Sequence, residues 1–138
     1  MIYVVDASLS IKWYVPEIYD READKILNGG HQLHAPELIL PELSNIVWKK
    51  TRKGELTEQK GEAIVSAFAN AQIKFHPHKN LIASAFHGAA TSGQTVYDWT
   101  YLALAIALNC QFVTADEKFY RALEKTTLKK NLLWIGDV

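Results

Sequence analysis

A chain of 138 residues, 49% of them apolar, is long enough for one domain, residues 1–138, with a real hydrophobic core. Its 15 basic and 15 acidic residues cancel to zero net charge, so overall charge gives no argument for nucleic acid, and any such contact must rest on a local patch. A single cysteine, Cys110, excludes an intramolecular disulfide and a Cys-rich zinc site and fits a reducing cytoplasm, and no apolar run approaches about 18 residues, so no membrane span is expected.

The N-terminal MIYVVDASLS lacks a basic n-region and reads as a first strand, not a signal peptide. Ile2–Val5 is a continuous apolar run of the kind buried on both faces, and Asp6 ends it. Ala7 to Tyr14 reads as a short helix closed by Pro16, with Asp6 or Ser8 as its cap. Tyr19 to Leu27 is amphipathic, with Ala23, Ile26 and Leu27 facing inward and Gly29-Gly30 stopping it. Gln32 to Ala35 is a second short strand. In PELILPELSNIVWKKTRKG, Pro36 reads as a helix start and Pro41 lies within the first turns. Glu42 and Asn45, three apart, share a face, while Glu37 stands at the extreme start, where the helix dipole explains it. Lys49, Lys50, Arg52 and Lys53 end this helix, either to complement its negative end or to meet RNA phosphates.

Thr57 is the expected cap of a helix running to Gln72, with Ile64, Val65, Phe68 and Ala69 as its inner stripe. Ile73 to Phe75 is a third strand, and His76-Pro-His78 reads as a plain loop. Leu81 to Ala90 is a helix, and Thr91-Ser-Gly93 a loop. Asp98 then opens a run from Trp99 to Leu108 broken only by Thr100, a helix buried nearly all round, with Asn109 as its stop. Gln111 to Thr114 is β-like, Asp116 begins another helix, and Leu132 to Ile135 is a last strand. Short apolar strands alternating with amphipathic helices predict an α/β fold with a mostly parallel sheet. Ligands of such sheets bind outside the carboxyl ends of the strands. Asp6, Asp98 and Asp116 fall at or beside those ends, and Glu42 can reach the same edge. Each Asp alone is explained as a helix cap, but four acids in one crevice would repel one another unless cations neutralised them. All-oxygen ligands suit Mg²⁺ or Mn²⁺, one or two ions, which can activate a water for phosphodiester hydrolysis.

The blocks VVDASLSIKW, PELILPELSNIVWK, YDWTYLALAIALN and FVTADEKFYRAL, in this order, resemble the PIN-domain ribonucleases, most closely the VapC-type toxins of toxin–antitoxin pairs. The resemblance runs from Tyr3 to about Leu123. It implies a three-layer fold, a parallel sheet of four or five strands flanked by helices. It assigns Asp6, Glu42, Asp98 and Asp116 as the catalytic, metal-holding acids and decides against Glu37. Ser8, Asn45 and Thr114 follow as supporting hydrogen-bonding groups. The family pattern further implies Mg²⁺- or Mn²⁺-dependent cleavage of RNA, a homodimer, and an antitoxin that inserts into the acidic groove. Trp99 departs from the small residue that often follows the third acid in relatives; it either packs on the core or offers a base a stacking surface. Lys49, Lys50 and Lys53 are the candidate RNA contacts, with Lys12, Lys118 and Arg121 as the alternative. A haloacid-dehalogenase-like phosphatase would need a second Asp where Ser8 stands, and a receiver domain would need an Asp after the third strand. A non-catalytic binding module that kept the fold is the remaining alternative.

Overall fold

The apolar runs Ile2–Val5 (β1), Gln32–Pro36 (β2), Ile73–His76 (β3), Gln111–Thr114 (β4) and Leu132–Trp134 (β5) pair as one sheet in the order β3-β2-β1-β4-β5. The computed structural model describes residues 1–138. Every pairing is parallel, so each connection has to cross over, and helices make the crossovers. Val4, Val5 and Val113 are fully buried, as a sheet covered on both faces demands. Seven helices flank it: α1 (Ala7–Ser10), α2 (Asp20–Asn28), α3 (Ile39–Arg52), α4 (Glu58–Ala69), α5 (Ile82–Ser92), α6 (Val96–Ala107) and α7 (Glu117–Leu123). The chain steps outward from β1 to β3, then returns to the other side of β1 for β4 and β5. The order therefore reverses between β1 and β4, and the loops leaving their carboxyl ends diverge into a crevice. The buried apolar side chains form one cluster reaching from Tyr3 to Ile135.

The buried helix is α6, where every residue from Trp99 to Ala105 is buried. Its cap is Thr95, whose hydroxyl accepts the Asp98 N–H, so the helix begins before Asp98, and Asp98 lies within its first turn. Asn109 ends it as expected, in the left-handed conformation (φ 52°), and the Cys110 N–H closes back on the Ala105 carbonyl at 2.9 Å. Gly88 of α5 lets the two helices close up, because a Cβ there would stand 2.2 Å from the Trp99 ring.

Several expected boundaries are corrected. Pro36 does not start a helix; it is the last residue of β2, opposite His76, where a missing N–H costs the ladder least. Glu37 sits in the turn that follows, donating its N–H to the His76 carbonyl at 2.8 Å. The Leu38 N–H, next to α3, donates to His78 Nε2 at 2.8 Å. His76-Pro-His78 is thus more than a plain loop: His76 ends β3, its ring stacked on that of His34, and His78 receives the start of α3. The segment after Asp6 is α1 followed by a separate 3-10 turn, Ile11–Trp13. Leu27 and Ala69, expected inside, are exposed. In α4, Gly61 lies against Val47 and Thr51 of α3, and of the expected inner stripe only Phe68 is deeply buried.

Candidate active site

Asp6 follows β1 directly, with extended backbone (φ −108°, ψ 176°), and caps α1. Its Oδ1 accepts from the Ser8 hydroxyl and the Leu9 N–H, both at 2.8 Å, and its Oδ2 accepts from the Thr114 hydroxyl at 2.8 Å. Burial pushes the Asp6 carboxyl up from 3.8 to about 6, against the pull of those three hydrogen bonds, and the charge of Asp116 adds to the rise. Thr114, the fully buried last residue of β4, also accepts the Asp116 N–H at 3.0 Å. One hydroxyl therefore ties the end of β1 to the turn after β4 across the switch point.

Asp116 caps α7, its Oδ1 accepting the Phe119 N–H at 3.1 Å. Asp98 and Thr95 form a reciprocal box: Thr95 Oγ1 takes the Asp98 N–H at 3.1 Å and donates to Asp98 Oδ2 at 3.0 Å. Burial raises the Asp98 carboxyl above its usual range, Asp116 raises it further, and Lys118 and the Thr95 bond oppose. Glu42, in the first turn of α3, accepts the Tyr101 hydroxyl on Oε1 at 2.6 Å. Burial lifts its carboxyl too, with Asp98 adding to the rise. Tyr101 lies three residues after Asp98, one turn along α6, and burial beside Glu42 holds its hydroxyl far above the usual tyrosine range, so it remains a donor. Its ring stacks on Phe112 of β4, 5.5 Å between centroids.

Four elements thus bring Asp6, Glu42, Asp98 and Asp116 to the carboxyl edge of the sheet, where the charge of one raises the carboxyl of the next: Asp116 acts on Asp6 and Asp98, and Asp98 acts on Glu42. As they stand, no three of these side chains close around a single point tightly enough to hold an ion. The donor chemistry nonetheless fits a hard divalent cation. Glu42 Oε2, Asp98 Oδ1 and Asp116 Oδ2 have no hydrogen-bond or ion-pair partner in the chain, and no nitrogen or sulfur ligand competes. Capping and a role at this site coexist, since each cap bond engages one carboxylate oxygen.

Of the supporting groups, Ser8 and Thr114 both hold Asp6. Asn45 is exposed and hydrogen-bonds to none of the acids, whereas Glu42, one turn earlier on α3, meets Tyr101. Trp99 offers no stacking surface. It is buried, its ring rests on Gly88, and its indole N–H donates to Ser92 Oγ at 2.7 Å. Lys50 is already neutralised by Glu17 at 3.2 Å and Glu55 at 3.6 Å, which leaves Lys49 and Lys53 exposed at the helix end without an acid partner. Lys118, by contrast, lies close enough to Asp98 to lower its carboxyl. Sequence reasoning left out Tyr101 as the partner of Glu42, and Thr95. The signal for Tyr101 was a hydroxyl inside an otherwise apolar run, which must find an acceptor when buried.

Fold and site together define an α/β protein with an acidic crevice at the switch point of a parallel sheet. The chain belongs to the PIN-domain family, whose profile matches residues 3–125. It is 33% identical to Ribonuclease VapC3 of Pyrobaculum aerophilum over 121 residues, 86% of this chain and 92% of that protein. A solved Pyrobaculum aerophilum structure superposes with a TM-score of 0.73 at 22% identity, covering 99% of this chain and 85% of that one. A toxin–antitoxin complex from Klebsiella pneumoniae superposes at 0.61 and 13% identity, covering 99% of each chain.

Proposed function

We propose that this chain is a single PIN domain that hydrolyses RNA phosphodiester bonds with Mg²⁺ or Mn²⁺, as the toxin of a toxin–antitoxin pair. The observation that carries the reading is the set of four carboxylates drawn from four separate elements to one edge, three of them held above their usual range and three with an uncommitted oxygen. Holding these carboxylates together against their mutual repulsion is costly without a counter-charge. Glu42, Asp98 and Asp116 would hold the cation with those oxygens, and Asp6 would complete the set. When bound, a divalent cation supplies a water that is nucleophilic near neutral pH and offsets charge developing on the phosphodiester. The chain's own residues do the positioning. Ser8, the Leu9 N–H and Thr114 fix the Asp6 carboxylate in one orientation, Thr95 fixes Asp98, and Tyr101 holds one oxygen of Glu42 so that the other faces the crevice.

The ribonuclease named among the relatives supports the substrate class, and the toxin–antitoxin complex among the structural neighbours supports an antitoxin partner. No helix is long and apolar enough to cross a membrane, in keeping with action in the cytoplasm. A homodimer is part of the same reading. α5 exposes Ile82 and Phe86 one turn apart, a face that a second copy would cover. Light scattering of the purified chain tests that point. The activity is tested by incubating the protein with single-stranded RNA in Mg²⁺ and in EDTA and mapping the cut ends. Discrete internal cuts in Mg²⁺ alone support the reading, and none at any Mg²⁺ or Mn²⁺ concentration contradicts it.

A further inference from the structure

Beside the acids lies a second concavity that the proposed chemistry does not use. It is a pocket of about 690 Å³ lined by Lys12, Tyr19, Glu117, Tyr120, Arg121 and Trp134. Ala115, the residue between Thr114 and Asp116, is also in its wall. Trp134 is the register partner of Thr114 in the neighbouring strand, and neighbouring strands lie about 5 Å apart. The pocket therefore opens within a nucleotide's length of the hydroxyl that holds Asp6.

Its walls are aromatic and already in place. The Tyr19 ring meets Trp134 edge to face, with centroids 5.8 Å apart, and Tyr120 lies tilted against Trp134 at 5.7 Å. Gly136 lets the indole seat against the backbone, because a Cβ there would come within 2.7 Å of Trp134 Nε1. Tyr19 takes up its place with φ at 67°, a left-handed conformation uncommon for a residue with a side chain. Both cations of the pocket are paired, Lys12 with Glu17 at 3.0 Å and Arg121 with Glu117, and Glu124 in the wall adds a further acid. Such a pocket lacks the net positive charge that a phosphate site draws on. It offers instead ring surfaces together with both donors and acceptors, which suits a neutral heteroaromatic ring carrying polar edges.

We propose that this pocket receives the nucleobase next to the scissile phosphate, and so sets which RNA sequence is cut. The proposal rests on the ribonuclease reading for its substrate. Tyr19, Tyr120 and Trp134 provide the stacking surface. The Arg121–Glu117 pair is largely solvent-exposed and therefore weakly held, free to turn its donors and acceptors to the base edge.

Two measurements test it. In the first, the four ribonucleoside 5′-monophosphates and ribose 5-phosphate are titrated into the wild-type protein in EDTA while the tryptophan indole N–H resonances are followed by NMR. The Trp134 signal is assigned with Trp134→Phe. At least one nucleotide should shift the Trp134 signal saturably and leave those of Trp48 and Trp99 in place, while ribose 5-phosphate leaves the Trp134 signal unmoved. No shift at millimolar nucleotide overturns the proposal, and so does an equal shift with ribose 5-phosphate, which would mark a phosphate site. In the second, the cut ends produced by Tyr120→Ala and Arg121→Gln are sequenced against those of the wild type. Cleavage should persist while the base preference beside the cut flattens, with the favoured sequence losing on the order of tenfold. An unchanged preference in both variants overturns the assignment. If the wild type cuts no RNA, the ribonuclease reading fails on its own, and the metal-free titration still decides whether the pocket takes a base.

Discussion

Asp6→Asn should stabilise the metal-free protein while abolishing RNA cleavage. The carboxyl of Asp6 stands at about 6 in the fold against an ordinary 3.8. The folded state thus binds the proton more tightly than the unfolded one. The ionised group destabilises the fold fully above about pH 6, and the penalty fades as pH falls toward 3.8. A gap of about two pKa units corresponds to roughly 3 kcal/mol. The amide carries no charge, and its oxygen can still accept from Ser8 and Leu9. Its nitrogen replaces the acceptor of the Thr114 hydroxyl, at a cost of about 1 kcal/mol. The variant should therefore be about 1–2 kcal/mol more stable than wild type at pH 7.5 in EDTA, a rise of several degrees in Tm. That advantage should shrink by about 1 kcal/mol at pH 5. Saturating Mg²⁺ should reverse the order, since an ion at about 100 times its Kd adds about 2.7 kcal/mol to the wild type and little to the variant. Urea denaturation at both pH values, with and without Mg²⁺, reads all of this. A variant less stable than wild type at pH 7.5 in EDTA, or an advantage that does not change with pH, would refute the reasoning.

Thr114→Val leaves both Asp6 Oδ2 and the Asp116 N–H without their partner. It should cost about 1–3 kcal/mol in denaturation and lower cleavage about 10–100-fold, short of the loss in Asp116→Asn. Equal losses in the two variants would make Thr114 a direct ligand. Tyr101→Phe keeps the stack on Phe112 but frees Glu42, and kcat should fall about 10–100-fold with little change in KM; unchanged kcat would reduce Tyr101 to packing. Replacing Lys49 and Lys53 with Gln should weaken RNA binding and reduce its salt slope by up to about 2, measured by filter binding in Ca²⁺. If the slope holds, the helix end is only solvated, and the phosphate contact passes to Lys118.

The placement of the candidate acids was largely legible because they sit where strands stop. Asp6 and Asp116 each follow a short apolar run, and the α/β alternation alone sends those ends to one edge. Asp98 was legible as a residue but not as part of its box, because the run after it drew the helix start inward and hid Thr95 as the cap. Pro36 misled for a related reason. A proline before an amphipathic stretch reads as a helix start, yet the turn Glu37–Leu38 is bonded to His76 and His78, the end of a strand and the loop after it, more than 35 residues away in sequence. Local pattern carries no trace of such a contact. The same holds for Lys50, whose partner Glu17 lies in a loop near the start of the chain, and for Trp99, whose burial depends on Gly88 in the preceding helix. Residue spacing places a side chain on a helix face; what fills the space opposite is a tertiary fact.

Asp98 tests most directly whether the four acids act together on a divalent cation to cut RNA. Its backbone is capped by Thr95, so Asp98→Asn removes charge and leaves the helix start intact. Wild type and variant, matched by circular dichroism and Tm in EDTA, should be incubated with the same single-stranded RNA across a Mn²⁺ titration. The variant should be equally folded, its cleavage should fall by at least about 100-fold, and it should lose the Mn²⁺-dependent rise in Tm. Cleavage at the wild-type rate, with the Mn²⁺ response retained, would contradict that joint action.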